Sequence, residues 1–226
     1  MKIKIKLCYL SIISWILICS SHLAFSSERS DWGTAYQIVP ELLISGHSVA
    51  DNLEQLRYLG VTHILNVTSN NPPLPKILKN FNVLRLELED EPTEDLTDSF
   101  DLAYKFISDA IKENERAKVL VHCSAGQSRS ASMLLYYLMR TRSLSLQDAL
   151  TFSRSIKPNI SPNYGFMKQL IQQEQIMRGE TTVDIEKYMI SQVKDVFSWI
   201  DDDIILSALE ESSWNVQLAA QQLLDY

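Results

Sequence analysis

Two periodicities of hydrophobic and polar residues divide the chain between residues 37 and 178. Short apolar runs rich in branched residues predict strands, and these lie at residues 37–45, where Pro40 separates a strand pair, and at 61–67, 83–88 and 118–121. Segments in which apolar residues recur every three or four positions predict helices, and these lie at residues 49–59, 98–115, 130–141, 145–156 and 161–177. Because strands alternate with helices, we expect an α/β domain with a central, largely parallel sheet flanked by helices.

The C-terminal part of the chain has a different pattern, because no strand-like run follows residue 178. Residues 179–190 open with a polar stretch and are interpreted as a linker. Residues 191–226 carry helical spacing only, which predicts a small unit of three short helices. The expected organisation is therefore an α/β domain over residues 33–178, the linker, and the three-helix unit.

Residues 1–26 have the layout of a targeting segment. Lysines at positions 2, 4 and 6 precede a run, residues 7–19, that only serines interrupt. In the tail that follows, residues 20–26, Ala24 and Ser26 have the spacing of small residues at a cleavage site. This layout predicts a secretory signal peptide. An uncleaved membrane anchor is one alternative, although a spanning helix needs about 20 mainly apolar residues, and a start that the cell does not use is another. Localisation stays open between the secretory pathway or membrane and the cytoplasm, and a membrane is a partner only in the anchor case.

The charge of the chain argues against nucleic acid as a partner. The chain has 21 basic and 28 acidic residues and a net charge of −7. All acidic residues lie at or beyond Glu28, so the chain from residue 27 onward carries 18 basic residues against 28 acidic ones. Phosphate backbones are bound mainly by basic side chains.

The four histidines have no ligand spacing, so we expect no metal site and no cofactor; they are His22, His47, His63 and His122.

Residues 122–130 (HCSAGQSRS) carry the strongest chemical signal. They lie between a predicted strand and a predicted helix, and they contain Cys123, whereas Cys8 and Cys19 lie in the N-terminal segment. Small residues let the backbone curl around an anion, which amide N–H groups and the helix N-terminus attract. Arg129 adds a planar fork for two phosphate oxygens, and the same field favours a nucleophilic thiolate. A buried structural cysteine is the alternative, but the combination favours chemistry.

The chain resembles the dual-specificity protein phosphatases of the cysteine phosphatase superfamily. The resemblance rests on His122-Cys123, five further residues and Arg129-Ser130, and it extends to residues 53–68 (LEQLRYLGVTHILNVT) and 160–170 (ISPNYGFMKQL). It covers about residues 33–178 and implies the cysteine phosphatase fold. It also implies an enzyme that hydrolyses phosphotyrosine and phosphoserine or phosphothreonine in proteins through a phosphocysteine intermediate.

The resemblance assigns a role to each residue of the loop. Cys123 would attack phosphorus, Ser130 would support the departure of the thiolate, and His122 would tune the thiol from behind. Asn163 resembles a residue that braces the loop, although a residue after Pro162 is also expected simply to begin a helix. The phosphate oxygens would be held by Ser124, Ala125, Gly126, Gln127, Ser128 and Arg129.

The family also uses an acid that protonates the leaving oxygen. Asp90 stands where the resemblance places this acid, in the stretch of residues 89–95 that we call the acid loop. Glu91 and Asp95 are the substitutes, and a solvated acidic turn without catalytic function is the alternative. Glu87 occupies a position where the family usually has proline, so the path of the acid loop is not predicted.

The phosphate-binding residues also bear on the substrate. The residues between Cys123 and Arg129 are neutral, whereas lipid-directed relatives place lysines there, so phosphorylated proteins are the expected substrates. The alternative function is a catalytically weak adaptor that binds phosphoproteins or ubiquitin.

Residues 191–226 resemble the CUE and UBA families of ubiquitin-binding modules. The resemblance rests on Val196-Phe197 and Leu223-Leu224, and it implies ubiquitin contacts by Phe197, Leu223 and Leu224. Ser198 replaces the proline that is usual in CUE domains, which lowers the expected affinity. A helical tail packed on the phosphatase is the alternative.

Overall fold

The computed structural model describes residues 33–69 and 80–225. The predicted targeting segment, residues 1–26, lies outside the described residues. Within the described part of the chain, no helix combines the length and the apolar character that crossing a bilayer requires.

A five-stranded sheet forms the centre of the described structure. Its strands are β1 (Tyr36–Val39), β2 (Leu42–Ser45), β3 (His63–Asn66), β4 (Asn82–Arg85) and β5 (Val119–His122), in the order β1-β2-β5-β3-β4. β1 pairs with β2 in antiparallel orientation, and the other neighbours are parallel, as helical crossovers require. The predicted α/β fold with a largely parallel sheet is confirmed.

Helices account for most of the other described residues. They are α1 (His47–Ala50), α2 (Leu53–Leu59), α3 (Thr97–Glu113), α4 (Arg129–Arg142), α5 (Leu146–Ile156), α6 (Tyr164–Arg178), α7 (Ile185–Lys194), α8 (Asp202–Glu211) and α9 (Val216–Gln222), and a 3-10 turn (Leu223–Asp225) follows.

Local side-chain chemistry sets the ends of several helices. Ser145 accepts a hydrogen bond from the N–H of Asp148 and caps α5, as its spacing predicts. Asn52 caps α2 in the same way, and Gly60 ends that helix with a left-handed backbone (φ 71°). Such caps satisfy N–H groups that have no partner within the helix.

Strand β5 and helix α4 lie at the centre of the core. Every residue of β5 is buried, and so is every residue of α4 from Arg129 to Met139. The C-terminal ends of β2 and β3 flank β5, where Ser45 and Asn66 are both in register with His122. The loop between β5 and α4 therefore lies at the C-terminal edge of the sheet, the usual place for ligands in open α/β sheets.

The C-terminal helices α7, α8 and α9 extend the same core, and the described residues belong to one compact unit. The structure differs from the predicted linker at residues 179–190, because α7 begins at Ile185, where Asp184 accepts the N–H groups of Glu186 and Lys187. The buried apolar residues that this region adds to the core are Val183, Tyr188, Met189, Val193, Phe197, Ile200, Ile205, Ala208, Leu209, Ala219 and Leu223.

Candidate active site

Residues 123–128, the phosphate loop from here on, join β5 to α4. Gly126 has φ 74°, and a Cβ at this position would lie 2.6 Å from the carbonyl carbon of Ser45. Only glycine can therefore occupy it. Ser128 is the N-cap of α4, but its side chain makes no capping bond, so the first-turn N–H groups of α4 are available to an anion.

Cys123 lies at the start of the phosphate loop and is buried. Its Sγ is 3.2 Å from Oγ of Ser130 and 3.2 Å from the backbone N of Gly126. Both groups can donate a hydrogen bond to sulfur.

The side chain of Arg129 is fixed beside the phosphate loop. Nη1 donates to the carbonyl of Leu88 at 3.0 Å, and Nη2 donates to Oγ of Ser124 at 2.9 Å. Nε is buried without a hydrogen bond, although it lies 3.5 Å from Oδ2 of Asp90. A buried donor that makes no hydrogen bond indicates a place for a ligand oxygen.

Asp90 contacts the phosphate loop directly. Ser128 donates from Oγ to Oδ1 of Asp90 at 2.5 Å, and Asn163 donates from Nδ2 to the same oxygen at 3.0 Å. Asp95 instead accepts hydrogen bonds from the hydroxyl and N–H of Thr97, which lower the pKa of its carboxyl. Glu91 is exposed. Of the three acid candidates, Asp90 is the one held against the loop.

His122 lies behind the nucleophile in the core. Burial lowers its pKa to about 4, although a hydrogen bond with the backbone of Cys123 acts in the opposite direction. The ring is therefore neutral near pH 7, and its Nδ1 has no hydrogen-bond partner.

Asn163 begins a helix and also contacts the phosphate loop and Asp90. Its Oδ1 accepts the N–H of Phe166 and so caps α6. Its Nδ2 binds Asp90, and its backbone N–H donates to Oγ of Ser128 at 3.1 Å. The neighbouring Ser161 also contacts the phosphate loop, because its N–H donates to the carbonyl of Gln127 at 2.9 Å. The sequence analysis did not assign Ser161 to the site, and the only signal for it was its position in residues 160–170, which resemble the family.

The three side chains predicted to contact ubiquitin differ in their exposure to solvent. Phe197 and Leu223 are buried in the core, at 5% and 4% exposure, whereas Leu224 is 72% exposed. In this structure the first two side chains build the fold and are not presented to a partner.

Comparison with known proteins shows which proteins the residues around this site resemble. A family model described as "Dual specificity phosphatase, catalytic domain" matches residues 43–176. The chain is 40% identical to human dual specificity protein phosphatase 9 over 144 residues, which is 64% of this chain and 37% of the relative. It spans about a third of the length of this relative, of Drosophila dual specificity protein phosphatase Mpk3 and of human dual specificity protein phosphatase 7.

Solved structures show the same similarity. A mouse putative dual specificity phosphatase, crystallised with zinc tungstate, aligns with a TM-score of 0.60 and 30% identity over 70% of this chain and 95% of the mouse chain. Human DUSP28 aligns with a TM-score of 0.59 and 30% identity over 68% of this chain and 99% of its own. The family match ends before α7, so the resemblance of residues 191–226 to CUE and UBA modules stays a prediction.

Proposed function

The chain belongs to the dual specificity phosphatase family, and on that premise we propose that it is a protein phosphatase that hydrolyses phosphotyrosine and phosphoserine or phosphothreonine through a phosphocysteine intermediate. One observation carries the proposal: the thiol of Cys123, the uncapped start of α4, the guanidinium of Arg129 and the carboxyl of Asp90 all meet at the phosphate loop. A phosphoryl group held there has a nucleophile, an anion cradle and an acid within reach.

The first step transfers the phosphoryl group to sulfur. The thiolate of Cys123 forms a bond to phosphorus while the bond between phosphorus and the leaving oxygen breaks. Asp90 supplies the proton that this oxygen needs, and general acid assistance of this kind is worth about 10²–10⁴-fold. Arg129 and the loop amides hold the remaining oxygens as charge redistributes among them.

The second step returns the enzyme to its starting state. A water molecule attacks phosphorus and passes a proton to Asp90, and the electron pair of the sulfur–phosphorus bond returns to Cys123. The hydroxyl of Ser130, 3.2 Å from Sγ, can donate a hydrogen bond to the thiolate as it leaves. The same carboxyl therefore acts first as an acid and then as a base.

Replacement of the nucleophile tests this function. We expect Cys123→Ser to abolish hydrolysis of an aryl phosphate, because a serine hydroxyl stays protonated where a thiol ionises. Binding of tungstate, measured by calorimetry, should persist because the cradle is unchanged. The control carries the same substitution at Cys8 and Cys19, outside the described residues, and should retain full turnover.

Two outcomes would count against the proposal. Residual turnover above about a tenth of wild type in Cys123→Ser would rule out the covalent mechanism. A wild-type chain that binds tungstate but hydrolyses neither phosphotyrosine nor phosphoserine peptides would favour the alternative, a catalytically weak adaptor.

We also propose that the C-terminal helices bind ubiquitin, through residues that differ in part from those first predicted. In each dipeptide that carries the resemblance, one side chain is buried and the other exposed: Val196 is 65% and Leu224 is 72% exposed. Trp199 is 72% exposed in the turn that follows Val196. Exposed large apolar side chains of this kind are typical of interaction surfaces.

Titration of labelled ubiquitin with the full chain tests this second proposal. Binding should perturb an apolar patch of ubiquitin, and Val196→Asp and Leu224→Asp should each remove the effect. Leu218→Asp is the matched control, because Leu218 is also exposed but lies outside the two dipeptides. No perturbation at about millimolar concentration, the weak limit of useful affinity, would return these helices to a purely structural role.

A further inference from the structure

The acid loop is held by helix α6. Asn163, the N-cap of α6, donates from Nδ2 to Asp90. Two turns along the helix, Gln169 accepts the N–H of Leu96 at 2.7 Å and donates to the carbonyl of Glu94 at 2.8 Å. The beginning and the end of the acid loop are therefore both bonded to α6.

The middle of the acid loop touches the backbone of α6. A Cβ at Gly165 would lie 1.8 Å from the carbonyl oxygen of Pro92 and 2.5 Å from its carbonyl carbon. Such an approach leaves no clearance between the loop and the first turn of the helix. A shift of this turn therefore moves the acid loop with it.

The segment that precedes α6, residues 160–163, also contacts the phosphate loop. Ser161 donates its N–H to the carbonyl of Gln127, and Asn163 donates its N–H to Oγ of Ser128. The same Oγ donates to the carboxyl of Asp90. Residues 160–163, the bracing segment from here on, thus connect the nucleophile's loop to the acid.

Helix α7 holds the bracing segment from the opposite side. Tyr188 is buried, and its hydroxyl donates to the carbonyl of Pro162 at 2.7 Å. Burial raises the pKa of Tyr188 to about 12, so the hydroxyl stays a donor throughout the working pH range. Gln192, one turn further along α7, accepts a hydrogen bond from the hydroxyl of Ser161.

Two further contacts limit the freedom of this region. Arg154 of α5 donates from Nε to the carbonyl of Ile160 at 2.8 Å, and its guanidinium lies 5.4 Å from the ring centre of Tyr188. Trp214, between α8 and α9, stacks on Tyr164 with centroids 4.7 Å apart and planes at 6°. Residues beyond the family match, which ends at residue 176, therefore contact the start of α6 and the segment before it.

We propose that Tyr188, with Gln192 beside it, is a positioning residue for the catalytic acid: through the bracing segment and the first turn of α6, helix α7 holds Asp90 against the phosphate loop. The proposal rests on the proposed phosphatase function for its kinetic consequence. Tyr188 touches neither the thiol nor the acid, so it acts only through the backbone that it holds.

Tyr188→Phe tests this role because it removes one hydroxyl and keeps the buried ring. Loss of one hydrogen bond should loosen the bracing segment and misplace Asp90 in part of the population. A poor leaving oxygen needs the proton of Asp90, whereas an activated phenolate does not. We expect kcat/KM on phenyl phosphate, which reports the transfer of the phosphoryl group to sulfur, to fall about 3- to 10-fold, with kcat/KM on 4-nitrophenyl phosphate within about twofold of wild type.

Tyr137→Phe is the matched control. Tyr137 is also buried, burial also raises its pKa to about 12, and its hydroxyl contacts Glu41, not the bracing segment. It should leave both kcat/KM values unchanged. Gln192→Ala provides a second variant, because Gln192 is more exposed than Tyr188, and it should show the same selective loss.

Amide hydrogen exchange adds a measurement that does not depend on catalysis. Tyr188→Phe should speed the exchange of the Leu96 and Phe166 amides, which bond Gln169 and Asn163, whereas Tyr137→Phe should not. Equal losses of kcat/KM on both substrates, or unchanged exchange at these amides, would overturn the positioning role. Absence of any Cys123-dependent turnover in wild type would overturn the phosphatase function instead, and the exchange comparison would still decide whether α7 holds the acid loop.

Discussion

Burial decides the protonation state of His122, which is next to the nucleophile in sequence. Its pKa is lowered from 6.5 to about 4, mainly by desolvation, with smaller contributions from the charges of His47 and Arg85. Between these two values the unfolded chain binds a proton that the folded chain does not. Stability therefore falls as the pH is lowered through this window.

We predict that His122 alone lowers the free energy of unfolding by about 3 kcal/mol between pH 7 and pH 4. His122→Asn should be less stable at pH 7 but should lose this part of the pH dependence. His63 contributes with the same sign, because burial also lowers its pKa, so the comparison is best made in a His63→Gln background. Urea unfolding at several pH values provides the measurement.

An NMR titration of the imidazole gives the independent control for this prediction. The resonances of His122 should keep the shifts of the neutral ring down to about pH 5, since the folded-state pKa is about 4. A titration midpoint near 6.5 would contradict the prediction and would place a charged ring behind the thiolate at mildly acidic pH.

At the scale of single residues, the sequence predicts the residues of one contiguous loop and few of the residues that surround this loop. Cys123, Arg129 and Ser130 are recognisable together because they lie within eight consecutive positions at the junction of a strand and a helix. The contact between Asn163 and Asp90 joins residues 73 positions apart. Only the resemblance to a family indicated either residue, since no local pattern encodes such a distant pair.

At the scale of elements, α6 is the part of the fold that connects the acid loop to the rest of the molecule. Its first turn accepts Pro92 only because Gly165 has no side chain. In an ordinary helix position, alanine in place of glycine stabilises by about 1 kcal/mol. At Gly165, alanine would instead destabilise the fold, because its Cβ would overlap backbone atoms of Pro92. Rotation of a side chain cannot relieve an overlap with backbone atoms.

We predict that Gly165→Ala lowers the free energy of unfolding by about 1–3 kcal/mol and displaces the acid loop. The value of kcat/KM on phenyl phosphate should fall at least about 10-fold, and that on 4-nitrophenyl phosphate should fall much less. In the transfer of the phosphoryl group to sulfur, the acid matters only for the poorer leaving group. Thermal unfolding and steady-state kinetics measure the two effects. Gly33→Ala is the matched control, since nothing lies within 4 Å of a Cβ there; a gain of stability in Gly165→Ala would contradict the predicted clash.

The helices and strands were predicted best where the periodic pattern of apolar residues extended over a long segment. Helix α3, predicted at residues 98–115, spans Thr97–Glu113. The strand predicted at residues 83–88 ends at Arg85, although Leu86 and Leu88 stay buried. The alternation of apolar residues correctly predicted which side chains are buried, but the hydrogen-bonded pairing of β4 with β3 ends at Arg85. Where such pairing ends depends on the neighbouring strand, which the local sequence does not show.

Helix α7 shows the limit of dividing this chain by composition. The polar residues at 178–184 favoured a linker as far as residue 190, yet Tyr188 and Met189 are buried within that range. Their partners lie on the bracing segment and in the core of the α/β domain, and these contacts could not be seen before the fold was known. The polar composition correctly predicted an irregular segment after α6, but it did not predict that the next helix begins at Ile185.

At the scale of the whole molecule, the position of α7 determines whether the chain behaves as one cooperative body. The described residues form one compact unit, and α7 contributes Tyr188, Met189 and Val193 to the cluster that also contains α4 and α6. Its hydrogen bonds to Pro162 and Ser161 join it to the active-site side of the domain. A segment with buried contacts of this kind is expected to unfold together with the body that it contacts.

We therefore predict that the amides of α7 (Ile185–Lys194) exchange with the same free energy and the same urea dependence as those of α4 (Arg129–Arg142). Native-state hydrogen exchange in increasing urea, read by mass spectrometry of peptides, measures both in one sample. Helix α8 is the internal comparison, because an independently folding C-terminal module would make α7 follow α8 instead of α4. If α7 and α8 opened together at a lower free energy while α4 stayed protected, residues 185–225 would form a separate domain, and the acid loop would lose its brace each time that domain opened. If α7 opens only with α4, every active molecule has the brace in place, and a partner bound to α8 or α9 could influence turnover only by straining α7 while it stays folded.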